Sequence, residues 1–317
     1  MRIGWRTYLK QRLQSKSSYL ALGIAVSMDA VTFCALKIKA GNVVVEAEET
    51  VSFHNWGDHL AKWVDQHDMR GTHCYVAFTQ QWYQFLQLDR PDVNDAEISQ
   101  ALSWQVKDLV GGDQPLVIDY IDLPVPLAGN KKLNVVAIPE KDVLAVSEQV
   151  FKAGLLLQCI SVEEISVCEL IPNQPEPVLT LVQEAGEEII LSIVKDGQLF
   201  VSRRLKGFEN LGSFSPEELQ MGLLDSLSVQ IQRSLDYFES QLRQAPVRQI
   251  LLRLDTPHTE VLGTQINQVV AADVKLLEPS VTAMAPLVAS RLNYTSLGMA
   301  LVPWRMMKTS ASHGEVA

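Results

Sequence analysis

Side chains that could ligate a metal or act as nucleophiles are present in this chain of 317 residues, but their spacing works against those chemistries. The four cysteines, Cys34, Cys74, Cys159 and Cys168, lie far apart and form no CxxC pair. The closer two, Cys159 and Cys168, have no histidine beside them, so all four read as small buried thiols in a reducing compartment. His54, His59, His67 and His73 cluster, but their spacings put no set of them on one helix face, and no H-E-x-x-H occurs, so no metal is expected. A net charge of −10 argues against a general nucleic-acid binder. The charge is uneven: residues 1–16 carry Arg2, Arg6, Lys10, Arg12 and Lys16 and no acid. With Trp5, Leu9 and Leu13 on one helical face, this start reads as a basic amphipathic segment suited to an anionic membrane surface.

The elements that would hold any site follow from hydrophobic pattern and turn chemistry. A hydrophobic fraction of 47% and a charged fraction of 20% belong to a folded protein, and the length suggests two lobes. Apolar runs such as 179–182 and 189–194 are far shorter than the roughly 20 residues of a membrane helix, and the basic start has no h-region of a secretory signal. Runs at 20–26, 31–39 and 43–53 predict three strands, with Gly41-Asn42 as the second turn. Runs at 178–182, 188–195 and 199–205 repeat that plan, with Asp196-Gly197 as a hairpin turn. Two such openings predict a duplicated, two-lobed α/β chain.

Helices follow each opening. Ser215-Pro216-Glu217-Glu218 is a capping box, and Leu219, Leu223, Leu227, Ile231, Leu235, Phe238 and Leu242 then form one stripe over 216–243. A helix over 95–110 turns Ile98, Leu102, Val106 and Leu109 inward and stops at Gly111-Gly112. Another runs from Pro139 to Ala153, and the last is short, near Tyr294–Leu301. The domain reading is a first lobe at 17–72, an α+β insert at 73–163, a return and linker at 164–177, a second lobe at 178–290, a closing helix at 291–304 that packs on the first lobe, and a disordered tail at 305–317.

This plan resembles the actin-like ATPase superfamily, built from duplicated ribonuclease-H-like lobes, in the variant with an α+β insert in the first lobe found in FtsA and PilM. Local segments resemble the PilM-like proteins of type IV pilus assembly, nearest those of mannose-sensitive haemagglutinin (MSHA) pili. They are Ala101–Val110 followed by Ile118–Leu123, then Leu133–Ala137, Ala153-Gly154-Leu155, Glu163-Glu164, Gln232–Phe238 and Leu297–Leu301.

The departures from that superfamily fall on its nucleotide site. Where the first phosphate loop resembles L-G-I-D-I-G-x-x-x-x-K, this chain has Ala25 for the metal-organising Asp, Ser27 for the close-approach Gly and Thr32 for the Lys. Backbone N–H groups cradle phosphate only where no side chain blocks the approach, and a lost Lys removes a full charge. Where the second loop resembles L-V-D-I-G-x-x-x-T, the Asp is Gln183 and the Gly is Ala185, with Gly186 one place along. Glu184, Glu187 and Glu188 bring like charge toward any triphosphate. Where the adenosine glycines are expected, Leu254 and Asp255 follow the strand. The catalytic carboxylate that phosphoryl transfer needs would fall to Asp29 or Glu184, and neither has the expected phosphate loop beside it.

The resemblance therefore implies no catalysis and no cofactor. It implies a cytoplasmic scaffold, peripheral to the inner membrane, that holds the cytoplasmic peptide of a bitopic PilN-like membrane protein and contacts the pilus motor ATPases. An ATP-binding or ATP-hydrolysing protein and a type II secretion platform component share the plan and are the alternatives. The implied peptide groove lies between first lobe and insert, with Trp82, Tyr83, Phe85 and Trp104 as candidate walls.

Overall fold

A computed structural model describes residues 17–111 and 113–314. The amphipathic segment expected at 1–16 lies outside the described residues. The strands are β1 (Ala21–Val26), β2 (Ala30–Lys39), β3 (Asn42–Ser52), β4 (His73–Phe78), β5 (Gln84–Asp89), β6 (Leu116–Asp122), β7 (Lys132–Pro139), β8 (Leu156–Val162), β9 (Val178–Val182), β10 (Ile189–Lys195), β11 (Gln198–Leu205), β12 (Gln249–Arg253), β13 (Asp273–Leu276) and β14 (Thr282–Ala283). The helices used below are α1 (Trp56–Gln66), α2 (Ile98–Val110), α3 (Glu140–Lys152), α4 (Glu163–Cys168), α5 (Leu224–Asp236), α6 (Thr259–Val269) and α7 (Tyr294–Gly314).

The chain divides into two compact units. The first holds the residues up to Trp82, then Pro139–Glu163 and everything from Ser280 on; the second holds Tyr83–Ile138 and Glu164–Pro279. The sheet of the first unit has the order β14-β3-β2-β1-β4-β8. Strands β1, β2 and β3 pair antiparallel, while β4 and β8 run parallel to β1. The sheet of the second unit, β11-β10-β9-β12-β13, repeats the order and directions of β3-β2-β1-β4-β8, with no counterpart of β14. Parallel neighbours need crossovers, and helices lie in the connections: α1 between β3 and β4, α3 before β8, α5 between β11 and β12, and α6 between β12 and β13. This is a ribonuclease-H-like plan used twice, the actin-like fold.

Both central strands are covered on both faces, and every residue of β1 and of β9 is buried; all but Thr180 are apolar. In the first unit Phe33 packs on Trp56 and Trp63 of α1. On β1, α7 comes so close that a Cβ on Gly23 would stand 1.9 Å from the Ser296 carbonyl oxygen. In the second unit Leu181, Leu191 and Ile250 share a core with Leu227, Ile231 and Leu235 of α5. The capping box forms, with Ser215 and Glu218 exchanging side-chain and backbone hydrogen bonds. The long helix it starts is not uniform, because π-helical turns at Leu219–Leu223 and Tyr237–Gln241 flank α5.

Several expectations are corrected. The stretch 73–163 is not one insert: β4, α3 and β8 belong to the first unit, and only 83–138 forms the separate three-stranded sheet, β5-β7-β6, against α2. The reason is pairing at a distance, since β4 joins β1 in the register Leu22↔Cys74 and β8 then joins β4. On α2 the inward stripe is Ile98, Leu102, Val106 and half-buried Val110, four residues apart each time; Leu109 faces out at 63% exposure. The turn between β2 and β3 is Ala40-Gly41, not Gly41-Asn42. Both its residues have positive φ, as do Asp196 and Gly197 between β10 and β11. The last helix continues through Pro303 to Gly314, so 305–314 is helical where a disordered tail was expected.

Candidate functional site

Two strand-turn loops carry most of the positions that the sequence reading assigned to a degenerate phosphate site, one in each unit. In the first unit Ala25 is buried on β1 opposite Thr32 of β2. Thr32 shares a 2.9 Å hydrogen bond with the hydroxyl of Thr50 on β3. The Ser27 hydroxyl accepts from the Ala30 amide at 3.1 Å and donates to the Ala30 carbonyl at 2.9 Å. The side chains at 27 and 32 thus spend their polar groups within their own sheet, and Ala25 offers none.

In the second unit the loop after β9 is tied to itself through Gln183, which is 1% exposed. Its Nε2 donates to the carbonyls of Glu187 and Phe208, both at 2.8 Å, and its Oε1 accepts from the Asp255 amide at 3.3 Å. Its backbone carbonyl accepts from Arg253 Nη1 at 2.8 Å. Gly186 has φ +75°, and its amide donates to Asp255 Oδ2 at 3.3 Å. Arg253 also stands 3.9 Å from the Glu184 carboxylate. Ala185 lies between Glu184 and Gly186 in this self-tied turn, while Leu254 is buried in the core of the unit. Asp255 packs its backbone against Gly212, where a Cβ would meet the Asp255 carbonyl at 3.0 Å. An Asp at 183 could not bridge two carbonyls, because an ionised carboxylate has no donor.

The four aromatic groove candidates do not share one environment. Tyr83 is 4% exposed and is no surface wall: its hydroxyl donates to Glu164 Oε2. Arg204 binds the other oxygen of Glu164 through Nε at 3.1 Å and Nη2 at 2.9 Å, and Nη2 also reaches the Tyr83 hydroxyl at 3.2 Å. All three are nearly removed from solvent, so they form a buried, mutually satisfied ion pair. Phe85 is half-buried on β5 opposite Val136 of β7, on the sheet face away from the α2 core. Trp104 stands out from α2 at 70% exposure. Trp82 belongs to the first unit, stacked at an angle on Phe53 and Phe78 with ring centroids 5.2 and 5.7 Å away.

Trp82 lines a cavity of about 340 Å³ within the first unit, with Phe53, Trp56, Asp58, Asp142 and Gln149 among its other walls. Of its walls only Trp82 was expected from the sequence, because the cavity gathers short pieces from the turn at 53–55, α1, α3 and Trp82. Glu163, Glu164 and Arg204 were likewise legible only as residues, not as partners.

Thiol and histidine expectations divide. Cys34 and Cys74 are buried, and burial pushes both thiols up; burial also pushes Cys168 up to about 12. Cys159 is exposed, contrary to expectation, because β8 is an edge strand. Among the described residues no group of histidines, cysteines or acids could hold a metal ion, and no helix is long and apolar enough to cross a membrane.

The duplicated sheets and their loops define an actin-like protein. No protein-family model matches the chain, and no curated protein does. Among solved structures it is similar to a chain of the PilM–PilN type IV pilus biogenesis complex, with a TM-score of 0.65 at 15% identity, covering 90% of this chain and 99% of that one. It is also similar to the cytoplasmic domain of EpsL, an inner membrane component of the type II secretion system of Vibrio cholerae. There the TM-score is 0.50 at 11% identity, covering 90% and 94% of the two chains. At such identities the likeness is one of fold.

Proposed function

We propose that this protein is a non-catalytic, actin-like scaffold of a type IV pilus assembly platform of the MSHA kind, in the MshI group. On this reading it works in the cytoplasm at the inner membrane and holds the cytoplasmic peptide of a PilN-like bitopic partner, with the pilus motor ATPases as further contacts. No cofactor takes part. The observation that carries the reading is the self-tied loop at Gln183. Its side chain is engaged with the Glu187 and Phe208 carbonyls and the Asp255 amide, and the Gly186 amide with the Asp255 carboxylate. Each is therefore turned away from the role a nucleotide would need, in support of a degenerate site at Ala25, Ser27, Thr32, Gln183, Ala185, Gly186, Leu254 and Asp255. The fold likeness to the PilM–PilN complex supports the choice of partner. Exposed Trp104 and half-buried Phe85 remain candidates for partner contact, since large exposed aromatics recur at interfaces.

Titration calorimetry with Mg-ATP tests the central point. No heat of binding is expected up to about 1 mM, and a Kd tighter than roughly 10 µM overturns the reading. The single variant Gln183→Asp is expected to stay silent as well, because Ala25 and Thr32 still lack the carboxylate and the cation. It should lose about 1–3 kcal/mol of stability, since the carbonyls of Glu187 and Phe208 lose their shared donor. Affinity purification from membranes is expected to recover a protein with one membrane span and a short cytoplasmic peptide. The fold likeness to the EpsL domain favours one second reading, a type II secretion platform, and recovery of a secretion component in place of a pilus one would select it.

A further inference from the structure

The sheet of the first unit ends on β8, and that edge is unlike the others. An edge strand offers unpaired backbone groups to any other strand, and proteins guard such edges with charge, proline or brevity. Among the described edge strands, β5 carries Asp89, β6 carries Asp119 and Asp122, and β11 carries Arg203 and Arg204. β13 carries Asp273 and Lys275, and β14 is two residues long. β8 is seven residues long and has neither a charge nor a proline. Its one irregularity falls at Gln158, and residues 159–162 pair with β4 in regular register. A second uncovered surface lies beside that edge, on α3. Asp142, Val146 and Gln149 of α3 turn toward the start of α1. α1 packs on β2 and β3 and α3 on β8, so the flank of α3 away from α1 overlooks the open edge. Leu144 and Phe151 lie on that flank two turns apart, at 60% and 61% exposure, and Leu156 of β8 is 44% exposed. Between the two helix side chains stands Ser147, whose hydroxyl donates to the Val143 carbonyl at 2.7 Å.

We propose that this edge is a homodimer interface, in which β8 pairs antiparallel with β8 of a second copy and α3 packs on the copy's α3. One two-fold axis perpendicular to the sheet makes both contacts. α3 has 13 residues and is about 20 Å long, and β8 has 7 and is about 23 Å long. They are joined by a short turn at 153–155, so their midpoints stand level and the same axis serves both. Each Phe151 then falls opposite Leu144 of the copy, across a pair of small serines, and the two sheets become one. Charge favours a copy over an ionic partner, because β8 gives an ionic partner nothing to hold. An added peptide strand would pair with the backbone edge but would bring no helix to cover Leu144 and Phe151. Such a dimer stands apart from the scaffold reading and forms without a partner protein.

Sedimentation velocity of the full chain tests this. A reversible dimer with a Kd of about 1–100 µM is expected, as suits an interface at the small end of the specific range. Each copy carries a net charge of −10, so added salt should strengthen the dimer by screening their repulsion. Phe151→Lys and Leu156→Lys, both at exposed positions, should each raise the Kd roughly tenfold or more by setting like charges across the axis. Thermal unfolding of both variants checks that they fold. A second measurement uses the thiol at the middle of β8. Cys34 and Cys74 are buried and Cys159 is exposed, so in Cys168→Ser a short bismaleimide should link Cys159 to Cys159 of the copy. A chain still monomeric at about 200 µM, a dimer indifferent to both lysine substitutions, or a dimer in which Cys159 fails to cross-link would each overturn the proposal. Failure to recover a membrane partner, with the dimer intact, would strike the scaffold reading alone.

Discussion

Breaking the buried pair of Glu164 and Arg204 should cost more than any surface change in the second unit. The Arg204 side chain is 10% exposed and that of Glu164 3%, with Nη2 2.9 Å from Oε1. Tyr83 closes the triangle from the first residue of the unit. Arg204→Met leaves a buried carboxylate with Tyr83 as its main donor. Removing one partner of such a pair costs about 3–5 kcal/mol, chiefly as the penalty on the charge left behind. Tyr83→Phe removes one charge-assisted hydrogen bond and should cost about 1.5–3 kcal/mol. The double variant Glu164→Gln, Arg204→Met leaves no charge behind, so its loss should fall well below the sum of the two singles. The coupling should be at least 1 kcal/mol, large enough to stand above the error of a cycle. Urea unfolding followed by circular dichroism, with m-values checked for constancy, reads the wild type, the singles Glu164→Gln, Arg204→Met and Tyr83→Phe, and the double variant, whose two singles are Glu164→Gln and Arg204→Met. A loss below about 1 kcal/mol for Arg204→Met, or additive losses within about 0.5 kcal/mol, would refute the reasoning.

Two further outcomes follow from close contacts. Gly23→Ala should destabilise the first unit by about 3 kcal/mol or drive α7 off β1, because the new methyl would sit 1.9 Å from the Ser296 carbonyl oxygen; thermal unfolding of the variant checks this, and an unchanged Tm contradicts it. The acid limb of stability should flatten in Glu46→Gln. The hydrogen bond from Lys39 first, then that from Lys37, holds the Glu46 carboxyl below its ordinary value against its partial burial. A depressed folded-state pKa gives stability that is present above the unfolded value and lost as pH falls through the folded one. The gain at neutral pH is under about 1 kcal/mol for so accessible a pair, and unfolding midpoints between pH 6 and 3 measure it.

How much of this was readable from the residues depended on how local the cause was. The openings of both units were legible because β1 and β9 are covered on both faces and are apolar but for Thr180. The Asp196-Gly197 turn was legible because its φ values demand such residues. The extent of the insert was not. Its error came from β4 and β8, whose partner β1 lies far back in the chain, and nothing in the local pattern of 74–78 names that partner. Tyr83 was misread for the same reason. A Tyr beside a Trp in a turn looks like a pocket wall, and only the fold brings Glu164 and Arg204 to its hydroxyl. The placing of Leu109 was a smaller error of the same kind, since a step of three and a step of four from Val106 look alike until α2 packs.

The loop at Gln183 joins these strands of argument. A nucleotide shifts a protein between states only by interacting differently with each of them. The sequence reading counted what the loops lack. The geometry adds what they do: the polar groups that a phosphate loop leaves free are used here to close the loop on its own strand and on Asp255. Reopening them would strand the carbonyls of Glu187 and Phe208, at about 1–3 kcal/mol in all, before any ligand is bound. On the proposed reading this makes the protein a platform that is permanently in its binding form. Its control would then lie with the supply of partner peptide instead of the energy state of the cell.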